Sequence, residues 1–512
     1  MKGCNVSMDK QSNKSELPII HVDNVKCKIE HIPNTIANKL SAALAVKVPN
    51  YWFSAKYKSG YWDGTQKFFV RPANTFPTGL LSKVVKMLQE EFEITPIIDD
   101  KRTGNSDYLL EEVPKDYKVS ESKDSRDYQI ETINKVITQS VMGIPFMRGV
   151  INIATNGGKT TIAMGIIDKL YPYLIENNTN FLFVTHSKEI ARQAKKSIEN
   201  DLKIDVGFVG DGKWDVKPVT VAIVTTLHSR IKKSEFKKLA ETTIGFVADE
   251  CHHSSSNSWY EVFNSLPNAL IRLGLTGTVD KKNPVNEMRL YSCTGEIINK
   301  ISNDYLIEQG FSAKPICILF TVTTPELEGE IYADAYSLGV VESEERLDCI
   351  TKICEKETND GNIVLILVEH IDHGEIIREE LERLKKRVFF TNGTLTSDKR
   401  QELLDDLKDS KIDVLISTAI LDEGVDVSNI NAVIYARGMK STRKLLQGLG
   451  RGLRKKEDGS KLRFYDFIDD MHSALLSHSL NRYEVLKAEK FVIKMLDIED
   501  YMKMSWEEIE NE

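Results

Sequence analysis

The feature that most restricts this chain is an alternation that occurs twice. Short apolar, β-rich runs alternate with longer segments of polar–apolar periodicity. The first set is GVINIAT (149–155), NFLFVTH (180–186), VTVAIVTT (219–226), TIGFVADE (243–250) and LIRLGLTGT (270–278). The second is PICILFTV (315–322), NIVLILV (362–368), RVFFTNG (387–393), DVLISTA (413–419) and AVIYAR (432–437). Strands apolar on both faces need a sheet covered on both sides, and helices linking parallel strands supply that cover. The expectation is an α/β chain with two parallel-sheet domains.

At 512 residues the chain exceeds one hydrophobic core. The boundaries expected are an α+β N-terminal accessory domain over 1–118, α/β domains over 119–310 and 311–478, and a C-terminal helical extension over 479–512. TGLLSKVVKMLQEEF (78–92) has helical periodicity, KDYKVSESKDSRD (115–127) reads as a linker, and WEEIENE (506–512) reads as an acidic, disordered end. Apolar residues at 41% and charged residues at 28% fit a soluble globular protein. No apolar run reaches the roughly 18 residues that a membrane helix needs. Residues 1–20 lack the apolar core of a signal peptide. None of the seven cysteines forms a CxxC pair, so reduced thiols and a cytoplasmic setting (the host cytoplasm for a viral protein) are expected. The net charge of −8 argues against binding by bulk phosphate attraction and leaves room for a local basic groove.

ATNGGKT (154–160) lies between a strand run and an apolar periodic segment, the setting a phosphate loop requires. Gly157 and Gly158 let backbone N–H groups face phosphate oxygens, and the following helix start adds its dipole. Lys159 would reach the β- and γ-phosphates and Thr160 would ligate Mg²⁺, with Thr155 and Thr161 flanking them at the nucleotide. The strict GxxxxGK[ST] pattern fails at its first glycine, where Ile153 stands. In TIGFVADECHH (243–253), Asp249 and Glu250 close a strand at the edge where α/β sheets bind ligands. Asp249 suits Mg²⁺ and Glu250 a general base. His252, with Thr276 and Thr278 of LTGT, would couple that site to the next strand end. Strand-end Thr185, Lys188, Thr225, Thr226 and Thr418 suit nucleic-acid phosphates, though ordinary helix capping would also use such residues.

In QGLGRGLRKK (447–456), Arg451 and Arg454 fall on one helix face, placed to stabilise charge on a transferred phosphoryl group. Gln447 would couple them to the site, and Gly424 and Asp426 of STAILDEGVDV (417–427) would meet nucleotide. The pocket expected is split, with Lys159, Asp249 and Glu250 on one lobe and the arginines on the other. Between residues 47 and 86, Lys47, Lys56, Lys58, Lys67, Arg71, Lys83 and Lys86 face one acid, Asp63. Tyr51, Trp52, Phe53, Tyr57, Tyr61, Trp62, Phe68, Phe69 and Phe76 interleave with them. Phosphate attraction plus base stacking would grip DNA there, with Lys56, Lys58 and Trp62 as contacts. Many of these rings would equally form a small core.

In order, these motifs resemble superfamily 2 helicases and translocases over about residues 120–475. RDYQ (126–129) resembles their adenine-reading element, which implies Gln129 as base reader beside Tyr128 or Arg126. ATNGGKT resembles motif I, VTHSKEIARQ motif Ia, VADECH motif II, LTGT motif III, LILVEHIDHG motif IV, ISTAILDEGVDV motif V and QGLGRGLR motif VI. Asn156 and Gly157 replace the family's usual Gly-Ser. The resemblance implies two RecA-like domains, ATP with Mg²⁺, and nucleic-acid-stimulated hydrolysis. KYKSGYWDGTQKFF (56–69), EHIDHGEII (369–377) and DFIDDMHSALLSHSLNRYEVLKAEKF (466–491) further resemble UvsW-type phage helicases. That implies remodelling of branched, forked or single-stranded DNA, with phage recombination or replication proteins as partners and no membrane. An RNA or RNA–DNA hybrid helicase, the motor subunit of a restriction or repair complex, and a non-enzymatic ATP-latched clamp remain alternatives. Intact Glu250, Arg451 and Arg454 weigh against the clamp, and the lack of a carboxylate–lysine nuclease cluster in 1–120 weighs against the nuclease-linked motor.

Overall fold

The computed structural model describes residues 17–511 except 104–110, 121–123, 156, 252–256, 278–282, 313, 325, 392–401, 403–404, 407–408, 410, 419–429, 441–444 and 446–460. Backbone packing divides the chain into two compact units. One comprises residues 1–152, 160–186 and 194–299, and the other 153–159, 187–193 and 300–512.

The first unit opens with a four-stranded sheet ordered Thr75–Pro77, Lys26–Glu30, Ile19–Val22, Ile97–Asp100. Helix Leu81–Phe92 buries Leu81, Val84, Val85 and Leu88, the i, i+3, i+4, i+7 stripe its sequence announces. This core does not close on itself: Val141, Phe146 and Met288, from the following α/β region, belong to it. Arg148 fastens the seam. It is 1% exposed, and its guanidinium donates to the carbonyls of Asn24 (2.6 Å), Leu270 (3.2 Å) and Ala269 (3.3 Å). Burial, with Arg272 and Arg102 nearby, pulls the Arg148 guanidinium below its ordinary range. Gly79 meets the helix Pro284–Cys293 so closely that a Cβ there would stand 2.1 Å from the Tyr291 carbonyl oxygen.

The α/β region of this unit carries an eight-stranded sheet ordered Lys213–Asp215, Val206–Gly210, Val219–Ile223, Asn180–Thr185, Thr243–Ala248, Ile271–Thr276, Arg148–Ile153, Ile297–Ile301. The six strands from Val206–Gly210 to Arg148–Ile153 run parallel. Four of the central strands are buried at every residue, as their uninterrupted apolar runs require. The expected strand 219–226 stops at Ile223, and Val224–Ser229 is helical. Its neighbour ends at Thr185, opposite Ile223, so the backbone beyond finds no ladder partner and bonds to itself.

The second unit holds a seven-stranded, all-parallel sheet ordered Val388–Thr391, Val414–Ser417, Ile363–Leu367, Ile430–Tyr435, Arg463–Asp469, Ile316–Val322, Val492–Met495. Without the antiparallel edge strand of the first sheet, the order of strands in both is the same. The end of the chain corrects two expectations. Val492–Met495 is a sheet strand inside the supposed helical extension, and Trp506–Asn511 is a docked helix instead of a disordered end. Ile509 is fully buried, Lys356 donates to the Tyr501 and Met504 carbonyls, and the Arg463 guanidinium lies 3.5 Å from the Trp506 ring centre. Apolar Tyr501, Trp506 and Ile509, spaced to one side, outweigh the acidic composition. No helix among the described residues is long and apolar enough to cross a membrane. Six of the cysteines are free and buried.

Candidate nucleotide and nucleic-acid sites

The strand Arg148–Ile153 is buried throughout and delivers the chain into the glycine-rich loop. There the Gly157 amide donates to the Ala154 carbonyl at 3.0 Å. A Cβ on Gly157 would stand 2.1 Å from Ile153 Cγ2, so the isoleucine in the first-glycine position and the glycine in the usual serine position fit one another. Gly158 takes φ +74°, a left-handed turn that favours glycine. Helix Lys159–Glu176 begins immediately after it. Thr155, Lys159 and Thr160 are half-buried and Thr161 is buried.

Gly165 lets the next helix approach: a Cβ there would stand 2.4 Å from Ile133 Cδ1. That contact seats helix Asp127–Thr138, whose first turn carries Tyr128 and Gln129. Both are buried. Gln129 Oε1 accepts from the Arg126 amide (3.0 Å), and Arg126 donates to the Tyr128 hydroxyl (2.8 Å). The Gln129 side chain thus serves as a helix cap in this arrangement.

Two strands across the sheet, Thr243–Ala248 leads into Asp249 and Glu250. Because the intervening strand and its neighbours are parallel, their carboxyl ends share one sheet edge. The Asp249 amide donates to the Val184 carbonyl (2.8 Å), and Asp249 Oδ1 accepts from the Glu250 amide (3.0 Å). Glu250 then turns left-handed at φ +48°, a conformation that costs a non-glycine residue about 1 kcal/mol or more. Cys251 packs inward because Gly274 lacks a side chain: a Cβ there would stand 2.8 Å from Sγ. Sequence reading had no signal for that turn. The Asp249 carboxylate and the Thr160 hydroxyl are hard oxygen donors, a chemistry that suits Mg²⁺.

Thr276 ends the intervening strand, fully buried. Among the residues expected at nucleic acid, Thr185 is fully buried with its hydroxyl unpartnered, and Thr418 is also buried. Lys188 and Thr226 are half-buried, while Thr225, Lys56 and Lys58 are exposed. Trp62 is half-buried, its indole N–H donating to the Thr65 carbonyl at 2.7 Å. Thr278, His252, Gly424, Asp426, Gln447, Arg451 and Arg454 lie outside the described residues.

Residues 122–281 match the family described as type III restriction enzyme, res subunit, and residues 345–456 match the helicase conserved C-terminal domain. The chain is 26% identical over 365 residues to the putative ATP-dependent helicase IRC3 of Saccharomyces cerevisiae, covering 67% of this chain and 51% of that protein. It is 22% identical over 492 residues to the ATP-dependent DNA helicase uvsW of Enterobacteria phage T4, covering 89% of this chain and 94% of that one. The chain thus spans about half the length of the first relative and nearly all of the second. In fold it resembles a fragment of a putative HsdR subunit of a type I restriction enzyme from Vibrio vulnificus YJ016, with TM-score 0.53, 19% identity, and 92% and 85% of the two chains covered. Two helicase domains in order, each on a parallel sheet of one strand order, make this chain an ATP-dependent helicase of superfamily 2.

Proposed function

We propose that the chain is an ATP-driven DNA motor that remodels branched replication or recombination intermediates. The observation carrying the ATP part is the shared sheet edge, where a glycine-turned loop opens into helix Lys159–Glu176 and Asp249–Glu250 ends a neighbouring parallel run. In this reading Lys159 binds the β- and γ-phosphates. Thr160 and Asp249 would hold Mg²⁺, which supplies charge neutralisation at the phosphates when bound. Glu250, held in its left-handed turn, takes a proton from the attacking water. Arg451 and Arg454 stabilise the phosphoryl charge from the second domain. The preference for DNA, and for branches, draws on the basic, aromatic N-terminal region and on likeness to uvsW along most of the chain. N-terminal residues 1–118 would serve as the accessory DNA-binding domain.

The test is hydrolysis measured on single-stranded DNA, duplex, fork, four-way junction and RNA. Stimulation greatest with forks or junctions is expected. Equal or greater stimulation by RNA would replace DNA with RNA as substrate, and turnover indifferent to every nucleic acid would end the motor reading. Deleting residues 1–115 would confound this, because Phe146, Met288 and Arg148 are packed into the deleted region. Lys56→Glu with Lys58→Glu is the cleaner variant, since both side chains are exposed.

A further inference from the structure

The hairpin Ala45–Lys47/Thr65–Lys67 carries a small lobe, residues 48–64, with rings of two kinds. Tyr51 and Trp62 are built in. Tyr51 packs where a Cβ on Gly64 would stand 2.3 Å from its ring, lies edge-on to Tyr57 at 4.7 Å, and sits under the Lys47 ammonium at 4.7 Å. Trp62 is tied to the Thr65 carbonyl. The second kind is presented to solvent: Trp52 is 50% exposed, Phe53 71% and Tyr61 90%. Three large rings left in solvent are not a fold requirement, since burying them would have been favourable.

Charge around them selects one kind of occupant. Lys56 and Lys58 lie in the lobe, and Lys47 and Lys67 in the hairpin strands that carry it. Its only acid, Asp63, is engaged by Thr65 and Lys67. Neither Lys56 nor Lys58 meets a carboxylate among the described residues. Exposed π-faces beside unpaired cations fit bases that have lost their own stacking partners, with phosphates alongside.

The lobe is also mounted firmly. The Arg289 guanidinium donates to Gln66 Oε1 at 3.2 Å, from the helix Pro284–Cys293 that also receives Gly79. That helix follows the strand ending in Thr276, one strand from Asp249.

We infer that Trp52, Phe53 and Tyr61 form a stacking wedge that receives the unpaired bases at a DNA branch point. This rests on the DNA-motor reading above and assigns its branch recognition to bases instead of junction shape. The wedge replaces Trp62, which is half-buried with its indole N–H held by the Thr65 carbonyl.

The experiment compares the intact protein with a Trp52→Ala, Phe53→Ala, Tyr61→Ala variant on two forks of one geometry. In one fork the first three unpaired nucleotides carry bases; in the other they are abasic, so phosphates remain and stacking is lost. The wild type should bind the base-bearing fork at least about fivefold more tightly, as loss of even one stack predicts. The triple variant, with unchanged melting temperature, should bind both forks alike, and 2-aminopurine at the first unpaired position should lose the quenching it shows with wild type. Wild-type indifference to base removal, or a preference kept by the variant, overturns the wedge and leaves the rings to a protein partner. Wild-type hydrolysis unmoved by any DNA would instead overturn the motor reading itself.

Discussion

The two large sheets share one strand order and differ in what they place at equivalent strand ends. In the first, Thr243–Ala248 leads to Asp249 and Glu250. In the second, the corresponding strand Ile430–Tyr435 leads to Ala436 and Arg437, an arginine with no exposed surface. The neighbouring strand Arg463–Asp469 is met by the chain's own charges: Arg346 pairs with Asp469 at its end, and Arg482 Nε lies 2.8 Å from Asp466 Oδ2 at its middle. Burial raises the Asp466 carboxyl above its ordinary range, with Arg482 opposing. One topology therefore serves two ends. The first sheet carries carboxylates at a strand end, and the second spends its described charges on holding itself together.

Glu250→Gln is the most severe test of that contrast. Hydrolysis should fall by about 10²–10⁴-fold, as loss of a general base does, with melting temperature unchanged. A variant with near-normal turnover would erase the distinction between the sheets. Lys159→Ala should likewise abolish turnover while sparing the fold. In the second sheet the converse holds. Arg346→Met leaves the buried Asp469 only its longer 3.6 Å pairing with Arg482 and the Ser479 hydroxyl, and should cost up to about 3 kcal/mol of stability, read by urea unfolding. If it lowered turnover at full stability instead, the second sheet's charges would belong to the chemistry.

A smaller effect probes the loop. Gly157→Ser should clash with Ile153 and cost about 1–3 kcal/mol, seen as weaker ATP binding. Adding Ile153→Gly should restore binding; failure to restore it would show the two positions to be independent. Near neutral pH the mildest effect is pH dependence in the second unit, which grows only as the solution is acidified. Burial, reinforced by Arg346 and His370, holds His373 at about 3 against an ordinary 6.5. The unfolded chain binds the proton that the fold refuses, so stability should decline as pH falls from 6.5 towards 3. Urea midpoints at successive pH values would show this slope, and His373→Phe should flatten it; an unaltered slope would place the dependence elsewhere.

Much of this was legible as pattern. Runs apolar on both faces located ten of the sheet strands, because double-sided burial leaves no alternation to misread. ATNGGKT marked a glycine turn and VADE a strand end, because a left-handed φ favours glycine at Gly158 and the apolar run stops at Ala248. What stayed hidden depended on partners distant in sequence. Val224 reads as strand until the end of its neighbour is known. Trp62 and Trp52 are alike in a string of letters, and only the Thr65 carbonyl tells them apart. WEEIENE reads as solvent-loving until Arg463 is seen against Trp506. Glu250's left-handed turn has no compositional trace at all.

The Arg148 seam has a bearing on how such chains can be recombined. A guanidinium that ends on the Asn24 carbonyl, beside a glycine pressed onto Tyr291, behaves as a keyed joint. A chimera taking its first hundred residues from a relative would inherit half the key. The graft would need Gly79, Arg148 and the face of helix Pro284–Cys293 exchanged together, so the unit of inheritance here is larger than the unit of fold.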